Sequence, residues 1–423
     1  MNLIKTGFLT GISTIIRIIS GFVVNKLVAV YVGPSGLAVI GQFQNFISII
    51  MTFATGAINT GTTKYIAEYN DNDSKRLSIL STSFLISLIC SLLFAILLIF
   101  FKHKISYYFF KSNQYSSIIF IFGFTIAFFS LNTFLLSVLN GFREIKKLTI
   151  INITSSIIGL IFTIILVVCF KLYGALLSLV TSQTIVFFVT IFFVSNCDWF
   201  QFDSFLRGFE KDSFIKLGKY SLMAITSVLT VPVSQILVRN YVADHISLDA
   251  AGFWQGIVKI SDVYLLIITS SLSVYYLPRL SEIKNDKDLR KELFLGYKII
   301  LPIVAIMALG IYLFRDLAIK ILFTDKFLSM SCLFGYQLIG DFFKIASWLL
   351  GYIMVAKAMT KYFITTEIIF NISYVLLVMI LVNKFGLIGT TQAFMLNYLI
   401  YLIVMIILFK NLIFKLNWSE ANE

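Results

Sequence analysis

Histidine, cysteine, proline and charge are all scarce in this chain, and each scarcity removes a class of function. The two histidines, His103 and His245, stand far apart at predicted helix ends. They read as surface residues, and a histidine-based catalytic centre is hard to build from them. The cysteines Cys90, Cys169, Cys197 and Cys332 are scattered with no C-x-x-C spacing, so they read as small packing residues. No metal site and no cofactor is expected. No phosphate-binding loop of the G-x-x-x-x-G-K-[ST] kind is present, and no soluble stretch is long enough to bind ATP. Charged residues make up 13% of the 423 positions, against about 25% in soluble domains.

What fills the chain instead is apolar: 59% of its residues are hydrophobic. Runs of about 20 apolar residues, such as 79–101, 116–139 and 363–382, match the hydrocarbon thickness of a bilayer, and they lack the alternation of a membrane barrel. Apolar runs set against polar breaks predict twelve spans near 5–30, 37–60, 79–101, 116–140, 148–170, 172–194, 216–240, 251–275, 294–314, 331–357, 363–382 and 387–410. The first segment has no small-residue cleavage site before Pro34, so it is expected to be retained rather than removed as a signal peptide.

Loop lysines and arginines concentrate on the side of the termini, at Lys146, Lys147, Arg207, Lys211, Lys219, Lys284, Lys287, Arg290 and Lys415, among others. The opposite side holds fewer, including Lys102, Lys104, Lys111, Lys326 and Lys384. The positive-inside rule then places both termini in the cytoplasm of a bacterial inner membrane protein. The net charge of +13 reflects this topology and calls for no nucleic acid partner. Most loop lysines read as anchors to anionic headgroups.

The two halves resemble each other. Gly36 in GPSGLAVIGQFQNF matches Gly252 in LDAAGFWQGIVKI at a shift of 216, and GFREIKKL from Gly141 falls on KAMTKYFI from Lys357 at the same shift. At nearly that shift Gly174 meets Gly389. Three matches in order predict two pseudo-symmetric six-helix bundles, 1–200 and 213–423, with the working site between them. The long polar connection near 195–212 reads as the linker.

Subtracting the loop cations leaves Arg17, Lys26, Arg239, Lys259, Lys298 and Lys344 within spans, with the acids Asp262, Asp341 and Glu367. A charge at mid-membrane is costly unless it faces water or a partner, so each is a functional candidate. Arg17 shares a helical sector with Thr10, Ser13, Thr14, Ser20 and Asn25, and that sector is expected to face water. Lys26 either reaches the same cavity through a bend near Gly21 or snorkels to the interface. The second span carries an uncharged polar stripe of Asn45, Ser48, Thr52, Thr55 and Asn59. Gln255, Lys259 and Asp262 share one face, as do Gln337, Asp341, Lys344 and Trp348. In each, an acid and a lysine three residues apart are expected to pair, either to permit insertion or as a switch opened by an anion or proton. Lys298, near a span end, reads as an anchor. Pro232 and Pro302 are expected to bend their helices around a cavity. An excess of cations in the membrane implies an anionic substrate, with phosphate the natural ligand.

Long segments then carry a family resemblance: STIIRIISGFVVNKLVAVYVGPSGLAVIGQFQNF from Ser13, TKYIAEYND from Thr63, GFREIKK from Gly141, SLMAITSVLTVPVSQILVR from Ser221 and GFWQGIVKISDVYLLIITSSLSVYYLPRLS from Gly252. They resemble the Wzx-type O-antigen translocases, nearest the branch of the lipid III flippase, within the superfamily of the lipid II flippase and the MATE exporters. The resemblance implies a V-shaped, all-α integral membrane fold that alternates between inward-open and outward-open states. It implies translocation of undecaprenyl-pyrophosphate-linked repeat units from the cytoplasmic to the periplasmic leaflet. A polysaccharide polymerase and a chain-length regulator are the expected partners. The basic residues of the family's cavity fall here on Arg17 and Lys26; an arginine at 17 where that branch suggests lysine keeps the charge but puts identical specificity in question.

The reading is therefore a transporter, not an enzyme, with Arg17, Lys26, Arg239, Lys259 and Lys344 binding the substrate and Asp262, Asp341 and Glu367 as ion-coupling candidates. Two rivals remain at this point. A MATE-type exporter of cations calls for an acidic cavity, and a membrane polymerase or ligase calls for a large periplasmic loop.

Overall fold

The computed structural model describes residues 3–414 apart from 70–71, 111, 198, 206 and 358, and among the described residues there is no strand. Lys111, Lys415, both chain ends and the side chains of Lys5, Thr10 and Lys219 lie outside the described residues. Helices follow from the solvent: in lipid every backbone N–H and C=O has to be satisfied within its own segment.

The chain divides into two compact units, Met1–Pro232 and Val233–Glu423. The first holds α1 (Leu3–Tyr31), α2 (Gly33–Ala54), α3 (Asn59–Glu68), α4 (Asp73–Phe110), α5 (Ser116–Gly141), α6 (Ile145–Val194), α7 (Phe202–Phe205) and the start of α8 (Lys211–His245). The second holds the rest of α8, α9 (Leu248–Ser271), α10 (Leu277–Glu282), α11 (Asp286–Leu313), α12 (Arg315–Leu322), α13 (Phe334–Ala356), α14 (Thr360–Phe385), α15 (Ile388–Leu408) and α16 (Lys410–Ile413).

Among the described residues ten helices are long and apolar enough to cross a bilayer. The count differs from twelve for a local reason. At 50 residues α6 would run about 75 Å if straight, more than twice a hydrocarbon core. It is interrupted at Lys171 (φ 51°, ψ −125°), between the expected spans 148–170 and 172–194. The expected seventh span lies within α8, 35 residues long and not among the ten. Large side chains such as Phe100, 78% exposed, and Ile306, 71% exposed, stand on helix faces that only lipid can cover. The chain is a multi-pass membrane protein.

The internal repeat is visible in the helix boundaries. α2 and α9 start at 33 and 248, α5 and α13 end at 141 and 356, and α6 and α14 start at 145 and 360, an offset of 215 each time. That is one residue less than the first two sequence matches suggest. Lys171 and Gly386 (φ 61°, ψ −143°) occupy equivalent turns at the same offset. Three residues after each turn, Gly174 and Gly389 sit so tightly on the preceding helix that an added Cβ would lie 1.8 Å from the Leu166 carbonyl and 2.4 Å from that of Leu381.

The first unit has no glycine at the turn itself: Lys171 holds a backbone conformation that suits glycine. Its side chain is exposed and packs little. Lys171→Gly should therefore raise stability by about 1 kcal/mol, strain relief of roughly 1–3 kcal/mol less the glycine entropy. Gly386→Ala should lower it by a similar amount. Thermal unfolding in detergent reads both, and a destabilised Lys171→Gly would contradict the strain.

One expected span is broken. Residues 37–60 were read as a single helix, but α2 stops at Ala54 and α3 starts at Asn59, because Gly56 (φ 63°) and Ala57 (φ 54°) turn left-handed between them. The equivalent place in the second unit is a π-turn, Leu272–Tyr276, between α9 and α10. Irregular backbone at membrane depth survives only where protein or water satisfies it. Here Ser130 Oγ donates to the Ala54 carbonyl at 3.0 Å, and the Gly56 and Ala57 N–H groups donate to the Phe53 and Thr52 carbonyls at 2.9 Å.

The connection after α6 is packed down. Phe205 is buried with Phe134, Leu135 and Val194, and Trp199 stacks on Phe142 at 4.6 Å. Ser81 Oγ donates to the Gly208 carbonyl at 2.9 Å, and the Glu210 N–H donates to Thr82 Oγ1 at 3.1 Å.

Candidate functional site

Six of the eight candidate residues fall in the second unit, on four of its helices. Lys259 and Asp262 lie on α9, Asp341 and Lys344 on α13, Arg239 on α8 and Glu367 on α14. The glycine at 340 helps to gather them. A Cβ there would sit 2.5 Å from the Phe394 ring and 3.1 Å from the Met395 backbone, so α13 approaches α15 closely one turn before Lys344.

Asp341 is fully buried. Ser261 Oγ and Tyr264 OH donate to its Oδ2 at 2.7 and 2.8 Å, and Gln337 Nε2 donates to Oδ1 at 3.4 Å. Three neutral donors thus hold the carboxyl and stitch α9 to α13. Lys344 turns elsewhere: its ammonium lies 4.9 Å from the Trp348 ring, 5.9 Å from Tyr398 and 6.0 Å from Phe394. Aromatic faces stabilise a cation that has left bulk water. Among the described residues no ion pair joins Lys344 to Asp341. The acid and lysine expected to pair within α13 make no direct ion pair, although Lys344 still attracts Asp341; the donors of α9 bond the acid directly.

Arg239 is 2% exposed. One of its Nη groups donates to Gln255 Oε1, and its guanidinium lies 5.4 Å from the Trp254 ring. Lys259, half-buried one turn beyond Gln255, feels repulsion from Arg239 and attraction from Asp262. Asp262 is exposed and is attracted by Lys344 as well as Lys259. Glu367 accepts from Asn371 Nδ2 at 3.4 Å, and Ser234 Oγ donates to Asn371 Oδ1 at 3.1 Å, so this acid is tied to α8.

The second unit therefore holds all three in-span acids together with Arg239, Lys259, Lys344 and the exposed Lys298. The excess positive charge of the sequence count belongs to Arg17 and Lys26 of α1 and to Lys298, which is exposed on α11. Arg17 is exposed and Lys26 half-buried, both in the first unit. Residue patterns had missed Ser261 and Tyr264, which stand beside the charged face of α9. Their three-residue spacing within an apolar run was the available signal.

Asp262, exposed and attracted by two lysines, is the acid whose place an incoming phosphate oxygen would take with least rearrangement. Asp341, satisfied on both oxygens, is not displaced in the same way.

A family model described as polysaccharide biosynthesis protein matches residues 3–284, more than half of the chain. The chain belongs to that family. A lipid III flippase from Escherichia coli strain K12 is 31% identical to it over 405 residues, covering 95% of this chain and 96% of that one. Solved structures share the fold. A multidrug MATE family transporter in an inward-facing conformation superposes with a TM-score of 0.80 at 14% identity, covering 96% of both chains. The lipid II flippase MurJ in an inward closed conformation gives 0.71 at 18% identity, covering 96% of this chain and 87% of that one. The family member described here is thus an all-α membrane protein with a transporter fold.

Proposed function

We propose that this chain is a flippase for a lipid-linked oligosaccharide, carrying undecaprenyl-pyrophosphate-linked repeat units from the cytoplasmic to the periplasmic leaflet of the inner membrane by alternating access. The observation that carries the reading is the relationship to a lipid III flippase along nearly the whole length of both chains. Lys259 and Lys344 bind the pyrophosphate, Arg239 orients Gln255 and supports Lys259, and Arg17 and Lys26 add positive charge from α1. Asp262 is the exchangeable counter-ion, returning to the lysines when the anion leaves.

Moving negative charge outward is favoured by an inside-negative potential, worth about 2.3 kcal/mol per charge per 100 mV. Asp262, the most exposed of the three acids, is the one best suited to coupling with an ion. Asp341 and Glu367 are held by neutral hydrogen bonds. On the periplasmic side the repeat unit passes to a polysaccharide polymerase under a chain-length regulator. The direct test of this function is transfer of a fluorescent undecaprenyl-pyrophosphate oligosaccharide between the leaflets of reconstituted vesicles.

Both termini are cytoplasmic in this reading, with Lys287 on the same side and Asp249 outside. Cysteine labelling of intact spheroplasts checks it after Cys169 and Cys332, both exposed, are replaced by serine. The expected result is labelling at 249 and none at 287. The reverse pattern would invert the topology.

A further inference from the structure

An open cleft lies within the first unit, where α2 breaks. It measures about 320 Å³ and combines the polar side chains Ser48, Thr52, Thr55 and Thr133 with a larger apolar surface to which Met51, Phe129 and Val228 belong, and no charged residue lines it. That volume is at the lower end of the roughly 300–1,000 Å³ usual for small-molecule sites.

The hydroxyls of the lining have a definite polarity. Thr52 Oγ1 donates to the Ser48 carbonyl at 2.9 Å, Thr55 Oγ1 to that of Thr52 at 3.1 Å, and Thr133 Oγ1 to that of Phe129 at 2.9 Å. Each proton is engaged by its own helix, so each oxygen keeps its lone pairs for a ligand. Asn59 adds a carboxamide whose buried Oδ1 has no hydrogen-bond partner. An unmade hydrogen bond of this kind is unfavourable until a donor supplies it. Acceptors without a cation repel phosphate and suit a ligand rich in O–H or N–H donors. Phe129 contributes an aromatic face beside them, the usual complement to the apolar C–H side of a sugar ring.

We infer that this cleft is a subsite for a neutral sugar of the transported oligosaccharide, binding hydroxyl or amide donors through Thr52, Thr55 and Thr133, with Phe129 against the sugar ring. The inference rests on the flippase reading and adds to it a place where sugar is recognised without charge. The left-handed pair Gly56 and Ala57 serves this site by ending α2 at the cleft wall.

Photocrosslinking separates the two claims. Full-length protein in lipid nanodiscs, with p-benzoylphenylalanine at Phe129 or, separately, at Trp348, is irradiated with undecaprenyl pyrophosphate carrying a neutral disaccharide. Mild acid then cuts the sugar–phosphate bond, so mass spectrometry shows whether sugar or isoprenoid stays on the peptide. The subsite predicts retained sugar at position 129, falling about tenfold in Thr52→Val, Thr133→Val, as expected for two lost neutral hydrogen bonds. Should that double variant fail to fold, Val228→Trp fills the same cleft from α8 and carries the same expectation. Adducts at 348 but none at 129, or retained isoprenoid at 129, would overturn the subsite and leave the flippase standing. Adducts at neither position would overturn both.

Discussion

Lys259→Ala should lower the rate of lipid-linked oligosaccharide transfer in reconstituted vesicles by about 10- to 150-fold, with protein levels and thermal unfolding close to normal. The size follows from losing one charge-assisted hydrogen bond to phosphate, worth about 1.5–3 kcal/mol. Lys344→Gln should lose a comparable amount. Lys259→Arg should keep part of the rate, because the charge survives while the point geometry of an ammonium does not. The shared position of Asp262 gives the sharper expectation. With the counter-ion removed, Asp262→Asn should bind inorganic pyrophosphate more tightly than the parent and release substrate more slowly. Were Asp262 merely neutralising one lysine for insertion, Lys259→Gln with Asp262→Asn would transport at the parental rate. The exchange account predicts that this double variant stays slow.

Asp341→Ala should be the most destabilising single change in the site. It leaves Ser261, Tyr264 and Gln337 with donors that no longer have an acceptor, at a cost of about 2–4 kcal/mol. Asp341→Asn should cost far less. Its carboxamide oxygen accepts from Ser261 and Tyr264, and its amide donates to Gln337 once that side chain turns over. Thermal unfolding compares the two, and transfer assays then divide structure from transport. A stable Asp341→Asn that still transports places this acid among the supports of α9 and α13. A stable variant that no longer responds to an imposed ion gradient would return it to the coupling role.

Hydropathy and charge made most of the architecture legible. The breaks between runs located the helices, including the break at Lys171 between the expected spans 148–170 and 172–194. The paired glycines at 174 and 389 exposed the repeat, since their tight turns exclude any side chain. The gap between α2 and α3 was not legible. Gly56 alone is compatible with a helix, and nothing in the pattern shows that Ala57 will also turn left-handed.

For the site, spacing found both faces of α9 and α13, yet it assigned partners within each helix. The structure assigns them across helices. Asp341 is satisfied by Ser261 and Tyr264 of α9, and Lys344 by rings of α15 as well as its own Trp348. Helical spacing reports which residues are able to meet, whereas tertiary packing decides which do.

The central claim is that this chain carries an anionic, lipid-linked oligosaccharide across a membrane by means of these lysines. The measurement that tests it most directly is leaflet transfer of a fluorescent undecaprenyl-pyrophosphate oligosaccharide in vesicles containing the purified protein, read by accessibility of the label to an external quencher. The account predicts transfer well above protein-free vesicles, with an inside-negative potential favouring movement outward and with Lys259→Ala, Lys344→Ala reducing it to background. Transfer equal to protein-free vesicles, or a parental rate in the double variant, would contradict it.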